Sequence, residues 1–187
     1  MSFTYPCLNA TMLRRALEVS MEAKELILRS LEQSRGYLNK TLDGLTQEEV
    51  AWSPGAGCNS IAFILWHMTR GEDFFVNCVI QRGKALYEVE GWQEKLGTPD
   101  KSYRYTVEEL QAWPVPKLET LRGYANSVRE KTLAFLNAIP AEKLSEVPSP
   151  ERSADSVGAI LGRMSTEIAL HTGQIAYLRG LQRGLDK

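Results

Sequence analysis

The sequence predicts an all-α protein, a single four-helix bundle with long connections. Three observations predict it. Apolar residues recur at multiples of three and four along four long stretches. Ser, Thr and acidic residues stand where helix N-caps are needed. No segment alternates apolar and polar residues over enough length for a strand. At 187 residues the chain suits one domain spanning 1–187, and 43% hydrophobic against 24% charged residues argues against disorder.

The first helix is expected from Leu8 to about Leu42, with Leu13, Leu17, Leu28, Leu31, Leu38 and Leu42 on one stripe. Thr46-Gln47-Glu48-Glu49 matches a capping box for a short helix that Ser53-Pro54-Gly55 ends. The second long helix starts at Asn59 or Ser60 and runs to about Gln81, before Gly83. It is apolar on more than one side (Ile61, Phe63, Ile64, Leu65, Trp66, Met68), which predicts deep burial. Residues 83–105 contain three glycines, Pro99 and several aromatics, a long, partly ordered connection placed to cover a pocket. Thr106-Val107-Glu108-Glu109 is a second capping box, and Trp113-Pro114-Val115-Pro116 interrupts the helix it opens. Pro116 suits the first position of the next helix, which runs to Ala138 and stops before Pro140. Asp155 or Ser156 caps the last helix, which continues to about Arg183, next to Gly184. Residues 59–68 align with 155–164, so the second and last long helices share a start pattern, with Arg163 standing where His67 stands.

Composition excludes several functions. With Lys+Arg 22 against Asp+Glu 23 the net charge is −1, which lacks the basic excess of a nucleic-acid surface. No apolar run approaches the roughly 20 residues that cross a bilayer. The N-terminus lacks the basic-then-apolar order of a signal peptide, so the expected location is cytoplasmic. Cys7, Cys58 and Cys78 are odd in number and form no C-x-x-C pair, so neither a disulfide framework nor a zinc knuckle is expected.

The chain has two histidines, one in each of the two most apolar helices. His171 is spaced at helical intervals from Ile160, Met164, Ile168, Ile175 and Leu178, which places it on the core-facing stripe. Glu167, four residues earlier, is expected on the same stripe. A carboxylate facing a core is costly unless paired or bound to a cation. Glu167 and His171, one turn apart, can reach one metal ion, and His67 can complete a His-Glu-His set if the two helices are neighbours. Three protein ligands leave one position open for water or substrate, and two His plus a carboxylate suit zinc or another first-row divalent ion. An internal Glu167–His171 pair and a core His67 are the bland alternative. Gln174 and Tyr177 can orient a ligand or line a pocket, and Arg70 can meet an anionic substrate or form an inter-helix pair. Cys78 reads as packing, and Cys58 sits just before a helix N-terminus that can lower a thiol pKa.

Two stretches resemble the DinB-like metalloenzyme family. The first is Trp52-Ser53-Pro54 followed by Asn59-Ser60-Ile61, Leu65-Trp66-His67-Met68 and Glu72. The second runs from Glu167-Ile168-Ala169-Leu170-His171 through Thr172-Gly173-Gln174-Ile175 to Ala176-Tyr177-Leu178-Arg179-Gly180. The resemblance implies an up-and-down four-helix bundle holding zinc, nickel or a similar divalent ion through three histidines. His67 and His171 match two of these, and Glu167 stands at the third, a changed ligand that leaves iron or manganese open as well. It also implies thiol S-transferase chemistry with a low-molecular-weight thiol, or metal-dependent hydrolysis, on a small-molecule substrate, and a homodimer. A non-catalytic metal-binding or stress-associated bundle protein is the alternative.

Overall fold

A computed structural model describes residues 10–101, 104–151 and 154–184, with side chains from residue 23 onward. Cys7 and the side chains of Leu13 and Leu17 lie outside the described residues. Four long helices carry the fold: α1 (Ala10–Leu42), α2 (Ile61–Asp73), α3 (Leu118–Ala138) and α4 (Val157–Arg183). Among the described residues there is no strand.

Local chemistry accounts for the helix starts. Ser60 and Ser156 are the N-caps of α2 and α4, their hydroxyls accepting from Phe63 N and Ala159 N at 3.2 Å each. Both expected capping boxes form, opening the short helices Gln47–Ala51 and Val107–Gln111. Two departures have physical causes. First, α2 does not stay α-helical to Gln81: Phe74–Ile80 is a π-helical stretch, closed by Gln81 N donating to Val76 O at 3.1 Å. The side-chain ladder Asp73, Asn77, Gln81 runs along it, with bonds of 2.8 and 3.1 Å. Second, Pro116 is not the first residue of α3. Lys117 is the N-cap, and the Pro116 carbonyl instead accepts from Gln47 Nε2 at 3.0 Å. The connection after Gly83 is more ordered than expected, containing the helices Leu86–Val89 and Trp92–Leu96.

Inter-helix bonds give the directions. Arg179 near the end of α4 donates to Thr41 O (2.8 Å) and Asp43 O (2.6 Å) at the end of α1, so α1 and α4 run the same way. Arg122, early in α3, donates to Asn39 O late in α1 at 3.4 Å, and Lys24 reaches Asn137 O at 3.0 Å, so α3 opposes α1. Phe63 in the first turn of α2 meets Trp113 just before α3, and Glu72 meets Arg129 about three turns into each, so these two run together. The bundle therefore does not alternate strictly up and down. The long 83–117 connection carries the chain back along the bundle before α3 begins.

The core is apolar, with Trp66, Leu31, Leu65, Leu161 and Ile175 fully buried. Within it α2 carries two adjacent buried acids. Glu72 accepts both arms of the Arg129 fork at 2.7 and 2.8 Å, and Arg129 Nη1 also donates to Leu31 O at 2.8 Å. Asp73 is completely buried and accepts from Leu86 N (2.9 Å), Tyr87 N (2.9 Å), Asn77 Nδ2 (2.8 Å) and the Tyr124 hydroxyl (2.7 Å). Burial, then the Asp73 charge beside it, pushes the Tyr124 phenol far above its ordinary pKa, so it stays a donor.

Breaking this pairing gives the first prediction. Arg129→Met leaves a buried unpaired carboxylate and should cost about 3–5 kcal/mol in urea unfolding. The double change to Met at 72 and 129 should recover most of that loss; no recovery would mean the pair itself, rather than orphaned charge, holds the helices.

A second prediction concerns acid. Arg183 bonds Glu49 at 2.5 and 2.6 Å, and Thr46 N adds a bond of 2.7 Å. With the Arg183 bond the largest cause, these hold the Glu49 carboxyl at about 2, below its ordinary 4.5. A depressed carboxylate pKa contributes stability that is present above the unfolded value and lost as pH falls through the folded one. The melting midpoint should therefore fall between pH 4.5 and 2, and Arg183→Gln should flatten that part of the profile. An unchanged profile in that variant would remove the pair as its cause.

Candidate functional site

The buried acids set the rotation of α2. Leu65, Met68, Thr69 and Glu72 line the interior with α1 and α3, and His67 is left on the side that meets α4. Its half-buried ring lies parallel to Phe63, 6.2 Å between centres, and edge-on to His171 at 5.2 Å. Phe63 belongs to an aromatic wall, meeting Tyr105 at 5.1 Å and Trp113 at 5.2 Å, with Trp66 behind it. Tyr105, at the end of the 83–105 connection, donates its hydroxyl to Lys101 O. Burial pushes its phenol up to about 12. The connection thus contributes one aromatic face beside His67.

On α4 the buried stripe is Val157, Ile160, Leu161, Met164, Ile168, Thr172, Ile175 and Leu178. His171 lies at its edge with 18% of the side chain exposed, and Glu167 is 58% exposed. The expectation of a core-facing carboxylate is thus corrected: Glu167 sits just beyond the edge of the stripe, on the solvent side, so burial alone does not demand a partner for it. It is still close to His171, with Oε2 3.7 Å from Nε2. The other ring nitrogen, Nδ1, is 2.9 Å from Gln174 Oε1. A carbonyl oxygen can only accept, so Nδ1 is the donor in this bond, and Nε2 is the ring nitrogen that faces Glu167.

These atoms meet only part of what a metal ion requires. The donor chemistry is right: two imidazoles approach across a helix interface, and a neighbour on Nδ1 orients one of them, as ligating histidines require. The set is not drawn together, however. Among the described residues no three His, Cys, Asp or Glu side chains form a group that could hold a metal ion. The arrangement suits a histidine pair, with Glu167 at its open edge.

The remaining candidates separate. Gln174 orients His171. Tyr177 is on the outer face of α4, 68% exposed. Arg70 is buried and turned to the 83–101 connection, donating to Asp100 at 2.6 Å with its guanidinium 3.8 Å over the Tyr87 ring. That is a helix-to-connection ion pair rather than the inter-helix pair or the substrate contact expected. Cys58 is exposed and lines a surface cavity of about 260 Å³ with Ser60, Phe63 and Trp113, and Cys78 is half-buried against the core. Asp73 and Arg129 were missed by the motif reading. Two acids inside a helix apolar on all sides were the available signal.

Replacing Gln174 with Leu should shift His171 from the Nδ1–H tautomer towards a mixture, read from its ring-nitrogen NMR shifts. An unchanged tautomer would show that the 2.9 Å contact does not orient the ring.

The sequence model of the DinB superfamily matches residues 30–175. A crystal structure titled as a conserved protein of a locus from Enterococcus faecalis is similar at TM-score 0.74 and 23% identity. The match covers 84% of this chain and 95% of that one, and at this identity it speaks for the fold. No curated protein matches significantly.

Proposed function

Because the chain belongs to the DinB superfamily, we propose that it is a divalent-metal-dependent enzyme centred on His67 and His171. The observation that carries this reading is the edge-on approach of the two imidazoles at 5.2 Å, with Glu167 at 3.7 Å from His171. His67 and His171 would hold the ion, zinc or nickel first, with iron or manganese also compatible, and Glu167 would supply the carboxylate. The chemistry such an ion would supply there is a lowered pKa for a bound thiol or water and polarisation of an electrophile.

The chain's own groups do the rest. Gln174 orients the His171 ring, with Nε2 towards Glu167. Phe63 fixes the plane of His67 and, with Tyr105 and Trp113, offers an apolar face against which an electrophilic substrate can lie. The half-exposed site admits a hydrophilic nucleophile, and we take this to be a low-molecular-weight thiol, making the activity an S-transfer. Water in place of the thiol gives the hydrolase. Leu170, Tyr177 and Leu181 on the outer face of α4 are exposed apolar side chains that support pairing of two copies.

The open position of Glu167 favours one second reading, a non-catalytic metal-binding bundle. Calorimetric titration of chelator-stripped protein with zinc and nickel tests the proposal. Wild type should bind about one equivalent, His67→Ala and His171→Ala should each abolish this, and Glu167→Gln should weaken it about 10–100-fold. Full binding in either alanine variant would overturn the site. Metal binding without transfer from any thiol to electrophilic substrates would select the non-catalytic reading.

A further inference from the structure

We propose that the seam between α1 and α3 binds a small doubly charged oxyanion of the phosphate-monoester class, held between Arg35 and Arg122. This site lies on the pair of helices opposite the histidines and does not rest on the metal reading.

Charge is left unmatched along this seam. Arg70, Arg129 and Arg183, all largely buried, each meet a carboxylate, at 2.6, 2.7 and 2.5 Å. Arg35 and Arg122 are also half-buried, yet among the described residues neither forms an ion pair. Arg35 spends one arm on Asn126 Oδ1 at 3.2 Å, and Arg122 one arm on Asn39 O at 3.4 Å, both neutral acceptors. A guanidinium carries five donors in a planar fork, so each keeps most of its hydrogen-bonding capacity. The remaining donors point into open space, and an oxyanion is what two such forks across a groove best satisfy.

The groove has the space for one. An open cavity of about 580 Å³ is lined by Arg35, Asn39, Lys40, Asp43, Arg122 and Asn126. Three cations against the single Asp43 carboxylate leave the wall at +2, in a chain whose net charge is −1. Four of these residues also line a narrow inner cavity of about 30 Å³, where the Glu72–Arg129 pair is closed on itself. That inner space holds about one water, too little for an acyl tail, so the anionic group and whatever it carries stay in the outer groove. The wall charge matches a dianion, and the Asn39 and Asn126 side chains flank it as neutral hydrogen-bonding groups.

Calorimetric titration of the full chain with inorganic phosphate, at constant ionic strength set with sodium chloride and at pH 8, tests the proposal. One saturable site is expected, weakening as the pH is lowered and the phosphate dianion takes up a proton to become the monoanion. Arg35→Gln with Arg122→Gln should weaken binding by at least about tenfold, and Arg122→Lys, which keeps the charge but loses the fork, by less. His67→Ala should bind phosphate as wild type does. No saturable binding by wild type at millimolar phosphate, or equal binding by the double variant, would overturn the site. Equal affinity for acetate and phosphate would overturn the dianion assignment. Should the double variant fail to fold, Arg122→Lys and the acetate comparison still decide.

Discussion

Two neighbouring carboxylates inside an apolar helix are the constraint on which this fold depends. Glu72 and Asp73 cannot both face solvent, because α2 is enclosed on nearly every side, and neither can be left charged and unpaired in the core. Each is answered from a different direction. Arg129 brings α3, and through the Leu31 carbonyl α1, to Glu72, while two backbone amides and Tyr124 bring the 83–101 connection and α3 to Asp73. Non-directional apolar packing would tolerate several rotations of α2. Charged hydrogen bonds with fixed geometry admit one, and that rotation turns His67 towards α4.

The candidate site follows from that rotation. His67 meets His171 because α2 and α4 are antiparallel neighbours, and Phe63 one turn earlier holds the imidazole plane. The same turn of α2 that presents His67 to α4 presents Thr69 and Glu72 to the opposite seam. The molecule therefore has two polar regions on opposite sides of one core, a histidine pair and a cationic groove. They differ in what they can recognise: lone pairs on one side, guanidinium donors on the other.

Much of this was legible in the sequence because short-range rules decide it. The Thr46 and Thr106 capping boxes, the Ser60 and Ser156 caps and the burial of Trp66 each depend on a few neighbouring residues. What was not legible depends on the third dimension. The π-helical stretch after Asp73 arises where Asn77 and Gln81 extend a ladder from a buried acid, which no periodicity records. Glu167 falls just beyond the edge of the buried stripe, an offset too small for spacing to resolve. Pro116 was available as a helix start, but Gln47 takes its carbonyl, a contact between residues 69 apart in the chain. Arg35 and Arg122 are unremarkable in sequence and become a pair only when α1 and α3 face each other.

The most direct measurement of the claim that the buried acids set the site is a nuclear Overhauser spectrum of the two histidine rings. It should be recorded for the wild type and for Asp73→Asn, an isosteric change that removes the charge held by Leu86, Tyr87 and Tyr124. The account predicts cross-peaks between the His67 and His171 ring protons in the wild type. It predicts their loss or strong weakening in the variant, with helical circular dichroism retained. Cross-peaks of equal strength in both proteins would contradict it, and would show that apolar packing alone rotates α2 into place.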